Sequence, residues 1–238
     1  MKSRVLLFAA AALVTSIAML VLFGEGQPAD AAARRREMVE RQIRARGVGD
    51  ARVLAAVGKV PRERFVPADI LPRAYDDTPL PIGYGQTISQ PYIVAYMTEA
   101  LGVEADDIVL EIGTGSGYQA AVLGELARTV YTIEIVPQLA QRAASTLKDL
   151  GYANVHVRAG DGFAGWPEHA PFDRILVTAA PDEIPEPLLQ QLGVGGRLVI
   201  PVGEQGQTQW MTTVDKTAQG VVSRRTIPVQ FVPFTRRP

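Results

Sequence analysis

The stretch VLEIGTGSGYQ, residues 109–119, constrains the fold of this chain more than any other segment. An apolar run meets the acidic Glu111 and then three glycines at alternate positions, Gly113, Gly115 and Gly117. Glycine lets the backbone take turn conformations closed to other residues and lets a ligand approach the main chain. The pattern predicts a buried strand near residues 108–112 that turns sharply into a helix from about Tyr118. The first N–H groups of that helix are expected to face a nucleotide-like cofactor. A nicotinamide fingerprint would read G-x-G-x-x-G, but Tyr118 stands where its third glycine belongs. That spacing disfavours NAD.

Hydrophobic periodicity extends the pattern along the chain. Strands are expected near 130–135, 155–158, 174–177 and 197–201, and helices near 118–127, 137–150 and 186–191. Alternation of this kind is the signature of an α/β doubly wound, mostly parallel sheet. Residues 210–214 and 221–229 read as a closing antiparallel pair. Before the core, residues 37–46 read as a surface helix ended by Gly47, and residues 51–57 as a second short helix. Five prolines, Pro61, Pro67, Pro72, Pro79 and Pro81, predict an irregular segment over residues 61–85 laid over the body. Ser89 is expected to be the N-cap of a helix running to Leu101.

Composition narrows the chemistry. With 238 residues, 47% of them hydrophobic, the chain can build one sizeable catalytic domain. A net charge of −1 gives no bulk electrostatic reason to expect nucleic acid, despite small basic clusters at Arg34–Arg36 and at Arg236 and Arg237. The absence of cysteine excludes thiolate catalysis and cysteine-ligated zinc, and two histidines cannot make a histidine-rich metal site. No metal is expected.

At the amino end, Lys2 and Arg4 precede an uncharged, mostly apolar run over residues 5–24, followed by small residues. This reads as a signal peptide or a membrane anchor, with N-terminal membrane contact and a place in the cell envelope. The expected organisation is a leader over 1–33, a helical, proline-rich cap over 34–105 and a core over 106–238.

The second strand should end in Glu134, where a carboxylate can accept hydrogen bonds from both ribose hydroxyls of a nucleoside. Asp161 and Gly162, in the loop after the third strand, are placed for an adenine amino group. Neither histidine has catalytic company, and no nucleophile elbow appears, so a reaction without a strong base fits. Methyl transfer from a sulfonium to a carboxylate is one, since a carboxyl group with a pKa of roughly 4 is ionised at neutral pH.

An acidic residue before G-x-G-x-G resembles the cofactor loop of S-adenosylmethionine (SAM) methyltransferases. The chain as a whole resembles the protein-L-isoaspartate O-methyltransferase family from about Met38 to Phe234. The resemblance rests on VPRERFVP at 60–67, LPIGYGQTISQPYIVAYM at 80–97, the glycine loop, APFDRILVTAAP at 170–181, GGRLVIPVG at 195–203 and FVPF at 231–234. It implies a Rossmann-like class I SAM-dependent fold in which Glu111, Gly113, Thr114, Gly115, Ser116, Gly117, Glu134, Asp161 and Gly162 hold SAM. It further implies methylation of the free α-carboxylate of L-isoaspartyl residues in damaged proteins, by a monomer, with repair through a succinimide. D-aspartyl residues are an open second acceptor. Ser89 would be the catalytic residue, with Thr87, Ile88, Val177, Thr178, Ala179 and Ala180 lining the acceptor site. A carboxyl methyltransferase of altered specificity and a non-catalytic envelope binding module stay open beside this reading. So does the cytoplasm, where typical family members work.

Overall fold

The computed structural model describes residues 27–236, so the reading of residues 5–24 as a leader lies outside the described residues. Among the described residues, no helix is long and apolar enough to cross a membrane.

A seven-stranded sheet forms the centre: β3 (Ile108–Ile112), β4 (Thr129–Glu134), β5 (Val155–Ala159), β6 (Phe172–Val177), β7 (Leu192–Val202), β8 (Gln209–Thr217) and β9 (Gly220–Val229). Its order is β5-β4-β3-β6-β7-β8-β9. Strands β5 to β7 through β3 run parallel, and β8 and β9 close one end antiparallel. Alternation of side chains explains why the central strands are apolar almost throughout. In β6, Ile175 and Val177 enter one core while Leu176 enters the other, and β7 divides Leu198 and Ile200 from Val199 in the same way. Both faces are covered, so both parities must be apolar. Strand β9 is largely exposed, and its outer edge carries Arg224, Arg225 and Pro228, residues that discourage pairing with another chain.

Among the described residues there are six α-helices: α1 (Gln27–Glu37), α2 (Ala51–Lys59), α3 (Pro91–Leu101), α4 (Tyr118–Gly124), α5 (Pro137–Asp149) and α6 (Glu186–Gln191). The chain beyond α1 winds wider over Met38–Ile43, tightens over Arg44–Arg46 and stops at Gly47, whose φ of 97° is left-handed. Asp50 caps α2 by accepting from the Arg52 N–H at 2.8 Å. These amino-terminal elements share a core with α4 and α5.

Two expectations need correction. Ser89 is not an N-cap: α3 begins at Pro91 with Gln90 in the capping position and no side-chain cap bond. Proline favours the first helical position because it lacks an N–H, and this sets the cap one residue later than Ser89. The proline-rich segment also contains an antiparallel hairpin, β1 (Leu80–Gly83) with β2 (Gln86–Ile88). Its turn uses positive φ at Gly83, Tyr84 and Gly85.

Candidate active site

Strand order reverses between β4 and β6 on either side of β3, so the carboxyl ends of these three strands open onto a crevice. The glycine loop leaves β3 there. Gly113 and Thr114 donate their N–H groups to the Ile133 carbonyl at 2.8 and 3.2 Å. Gly115 donates to Glu134 Oε2 at 2.7 Å, and Val136 donates to Glu134 Oε1 at 2.9 Å. Glu134 is thereby clamped at the cleft wall, and each of its oxygens keeps a lone pair for a hydroxyl ligand.

The glycines serve different ends. A Cβ on Gly113, at φ 96°, would fall 2.3 Å from Thr178 Oγ1, which itself lies 2.7 Å from the Gly113 carbonyl oxygen. A Cβ on Gly117 would press on Ala143 of α5 at 3.2 Å, so this glycine serves helix packing. Gly162, after β5, has Ile112 Cγ2 2.4 Å from where its Cβ would be. Gly113 thus lets the loop after β3 close onto Thr178, and Gly162 lets the loop after β5 close onto Ile112 at the end of β3.

Three cavities meet above these loops. The first, an open cleft, is lined by Gly113, Gly115, Glu134, Gly162 and the apolar Ile112, Ile133 and Ile135. Its far wall is the carboxyl-terminal segment from Val232 to Thr235. The second, larger and also open to solvent, lies between Ser89, Gln90, Tyr92 and Ile93 on one side and residues 227–232 on the other. A small third cavity runs between Ile88 and Ser89 and the loop residues Thr114, Gly115 and Ser116. Thr87 and Thr178 line all three.

A ligand with a flat apolar base and a diol fits the first cleft: isoleucines offer an apolar surface, Glu134 offers acceptors, and the glycines keep the floor free of side chains. The helix end contributes less than expected. Helix α4 has seven residues, and the Tyr118 N–H lies 3.3 Å from Ser116 Oγ within its own loop.

Several expected residues stand elsewhere. Glu111 is fully buried beneath the loop and lines none of the three cavities. It accepts from Thr132 Oγ1 at 2.5 Å, and Thr132 Oγ1 lies 2.6 Å from Thr114 Oγ1. Burial, reinforced by the charge of Glu134, pushes its carboxyl up to about 8, against the opposing pull of the Thr132 hydrogen bond. Asp161 is turned to its own loop, accepting from the Phe163 N–H at 2.9 Å and pairing with Arg236 at 3.6 Å. Gly162 lines the cleft and Asp161 does not.

On the acceptor side, Val177 is fully buried in the core. Ala180 is engaged by the chain itself: its N–H donates to Val232 at 2.9 Å and its carbonyl accepts from Phe234 at 3.0 Å. Of residues 177–180, Thr178 and Ala179 line the first cleft. The carboxyl-terminal segment that engages Ala180 was legible only as the motif FVPF.

Ser89 is half-buried, and its hydroxyl has no hydrogen-bond partner among the described residues. Its carbonyl accepts from Arg62 Nη2 at 2.7 Å. Arg62 is fully buried, donates also to the Ala74 carbonyl at 2.8 Å, and stacks 4.8 Å from the Tyr118 ring centre. This arginine, read in the sequence only as part of a motif, ties the serine turn to the start of α4. The histidines stand apart, both stacked on Tyr131, with His169 at 3.9 Å and His156 at 5.2 Å between ring centres.

The chain is similar to one known family over most of its length. The family model of protein-L-isoaspartate(D-aspartate) O-methyltransferase matches residues 33–238. A protein-L-isoaspartate O-methyltransferase of Gloeobacter violaceus is 60% identical over 199 residues, covering 84% of this chain and 97% of its own. One from a Synechococcus species is 60% identical over 221 residues, covering 88% and 90%. Among solved structures, a protein-L-isoaspartate O-methyltransferase superposes with a TM-score of 0.76 at 31% identity, over 83% of this chain and 65% of that one. A Plasmodium falciparum structure described as a putative member, in complex with S-adenosyl-L-homocysteine, shares the fold with a TM-score of 0.74 at 24% identity, over 85% and 99%.

Proposed function

The chain belongs to the protein-L-isoaspartate(D-aspartate) O-methyltransferase family and is a SAM-dependent methyltransferase acting on isoaspartyl residues; we propose how its residues divide that work. The observation that carries the proposal is the meeting of three cavities at Thr87 and Thr178. The first cleft takes SAM, with Glu134 on the ribose, the isoleucines and Gly162 on the adenine, and Gly113 and Gly115 beside the chain leading to sulfur. The larger groove takes the acceptor peptide. Ser89 and Thr87 stand where the two sides join.

SAM supplies an electrophilic methyl group on a positively charged sulfur. The residues of this chain need supply no base. The acceptor α-carboxylate is ionised at neutral pH, so one of its lone pairs forms the O–CH3 bond as the S–CH3 bond breaks, and no proton moves. Ser89 donates its free hydroxyl to the other carboxylate oxygen and turns the reacting one toward the methyl group. Thr87 and Thr178 line the passage between the two sides. Holding two reactants in line replaces a costly encounter with a fixed geometry. The resulting methyl ester then loses methanol as the neighbouring amide nitrogen attacks its carbonyl, and the succinimide so formed hydrolyses in part to normal aspartate.

Incubation with labelled SAM and paired isoaspartyl and aspartyl peptides tests the reading. Labelling confined to the isoaspartyl peptide is expected, and equal or absent labelling of that peptide would refute it. Ser89→Ala should lower turnover at least about tenfold, roughly 1.4 kcal/mol, with SAM affinity within twofold of the parent. An equal loss in both quantities would contradict the division of roles.

The residues at 34–105 and 106–238 act together as one catalytic domain in this reading, because Ser89 from the first faces the glycine loop of the second. Lys2, Arg4 and the uncharged run that follows support an export or anchoring role for the leader. A reporter fusion active only outside the cytosol would support it, and one active only inside would refute it.

A further inference from the structure

The larger groove runs on from Thr87 and Ser89 to Tyr92 and Arg46, and among the described residues Arg46 is the one with a charged side chain that lines it. Arg46 is the last residue of the tightened turn that follows α1, immediately before the left-handed Gly47. Its guanidinium lies 3.6 Å from the centre of the Tyr92 ring, which lines the groove as well. Asp77, outside the lining, pairs with Arg46 Nη1 at 3.2 Å and accepts from Gln90 Nε2 at 2.8 Å. The cation is held in place between a ring and a carboxylate. A guanidinium has five N–H donors, so one carboxylate partner leaves several unengaged. About two fifths of the side chain remains open to solvent.

We propose that Arg46 is a specificity-determining residue that receives an acidic side chain flanking the isoaspartyl residue in the acceptor. The reacting carboxylate is taken at Ser89 and Thr87, as argued above, and the proposal rests on that placement of the acceptor. A second carboxylate in the same peptide meets an otherwise neutral groove with one fixed cation. Planar bidentate pairing favours a carboxylate over other acceptors. The stacked ring holds the fork in position, so less side-chain freedom is lost on pairing. A lysine in the peptide meets repulsion at the same point.

The test uses the full chain and isoaspartyl peptides in which Glu, Gln or Lys is walked through three positions on each side of the isoaspartyl residue. At one position at least, kcat/KM for the Glu peptide should exceed that for the Lys peptide by about three- to tenfold, the range for a partly exposed ion pair plus the matching repulsion. The difference should lie in KM and should shrink as ionic strength rises from about 0.05 to 0.5 M. Arg46→Gln should bring the ratio to about one and Arg46→Glu should invert it. An unchanged ratio in both variants would overturn the proposal, as would equal loss on every peptide, which would instead place Arg46 on the reacting carboxylate. Absence of labelling on every peptide by the parent enzyme would overturn the acceptor reading itself.

Discussion

Replacing Glu111 by glutamine should change how stability depends on pH, and in opposite directions at the two ends of the range. The carboxyl has its ordinary value near 4.5 in the unfolded chain and about 8 in the folded one, chiefly because it is fully buried. Between those values the folded state holds a proton that the unfolded state has lost. Its contribution is therefore fully present below the unfolded value and disappears as pH rises through the folded one. At about 1.4 kcal/mol per unit, the span corresponds to roughly 5 kcal/mol lost between pH 4.5 and 8. Local opening that admits water would reduce the loss, so a decline of a few kcal/mol is expected. Glutamine carries no charge at any pH and can still accept from Thr132. Its amide N–H2 would occupy the place of an oxygen that has no hydrogen-bond partner among the described residues, at a cost of about 1–3 kcal/mol. The variant should be less stable than the parent near pH 5 and more stable near pH 9. Urea titrations from pH 5 to 9 would measure both curves, and parallel curves would refute the argument.

Two further substitutions test the frame of the site. Gly113→Ala introduces a Cβ where Thr178 Oγ1 stands, at a φ that alanine rarely adopts, so SAM affinity by calorimetry should fall about tenfold or more, a shift of 1.4 kcal/mol or above; unchanged affinity would show that the loop relaxes freely. Arg62→Ala removes the donor from the Ala74 and Ser89 carbonyls and leaves a cavity in the core, so urea unfolding should show a loss of about 3–5 kcal/mol, and a neutral result would mean that burying the unpaired guanidinium costs as much as its hydrogen bonds return.

Much of the molecule was legible before its structure was known. Strands β3 to β6 and helices α5 and α6 fall within a few residues of where apolar periodicity put them: β3 and β6 are mostly buried and α5 is buried on one face, whereas the less buried β5 is marked by Val155 and Val157 alone. Where periodicity was absent, reading failed. The hairpin β1–β2 hid among prolines, since its turn is built from Gly83, Tyr84 and Gly85 rather than from alternating side chains. Helix α4 stops at Gly124, short of residue 127, where a Cβ would sit 2.8 Å from Val155 and the carbonyl is taken by Asn154 at 2.9 Å. Gly124 is itself the local signal for that stop, to which Asn154 adds a tertiary contact. Among the expected site residues, Glu134, Gly113, Gly115 and Ser89 line the cavities, whereas Val177 is buried in the core and Ala180 is hydrogen-bonded to the carboxyl-terminal segment.

By itself, the sequence determined the class of chemistry. A glycine loop after an apolar strand, the lack of cysteine and the lack of any strong base point to group transfer onto an acceptor that is already charged. It also determined the family, through short motifs scattered across the chain. Only the tertiary structure decided which of those motifs touch the cavities. Burial turned Glu111 from a ligand-facing carboxylate into a support beneath the loop, since full desolvation favours its neutral form. Chain crossing brought residues 227–235 against Ser89 and Gly115 from the far end of the sequence. Contacts of that kind depend on how distant segments fill space, and no local pattern of residues encodes them.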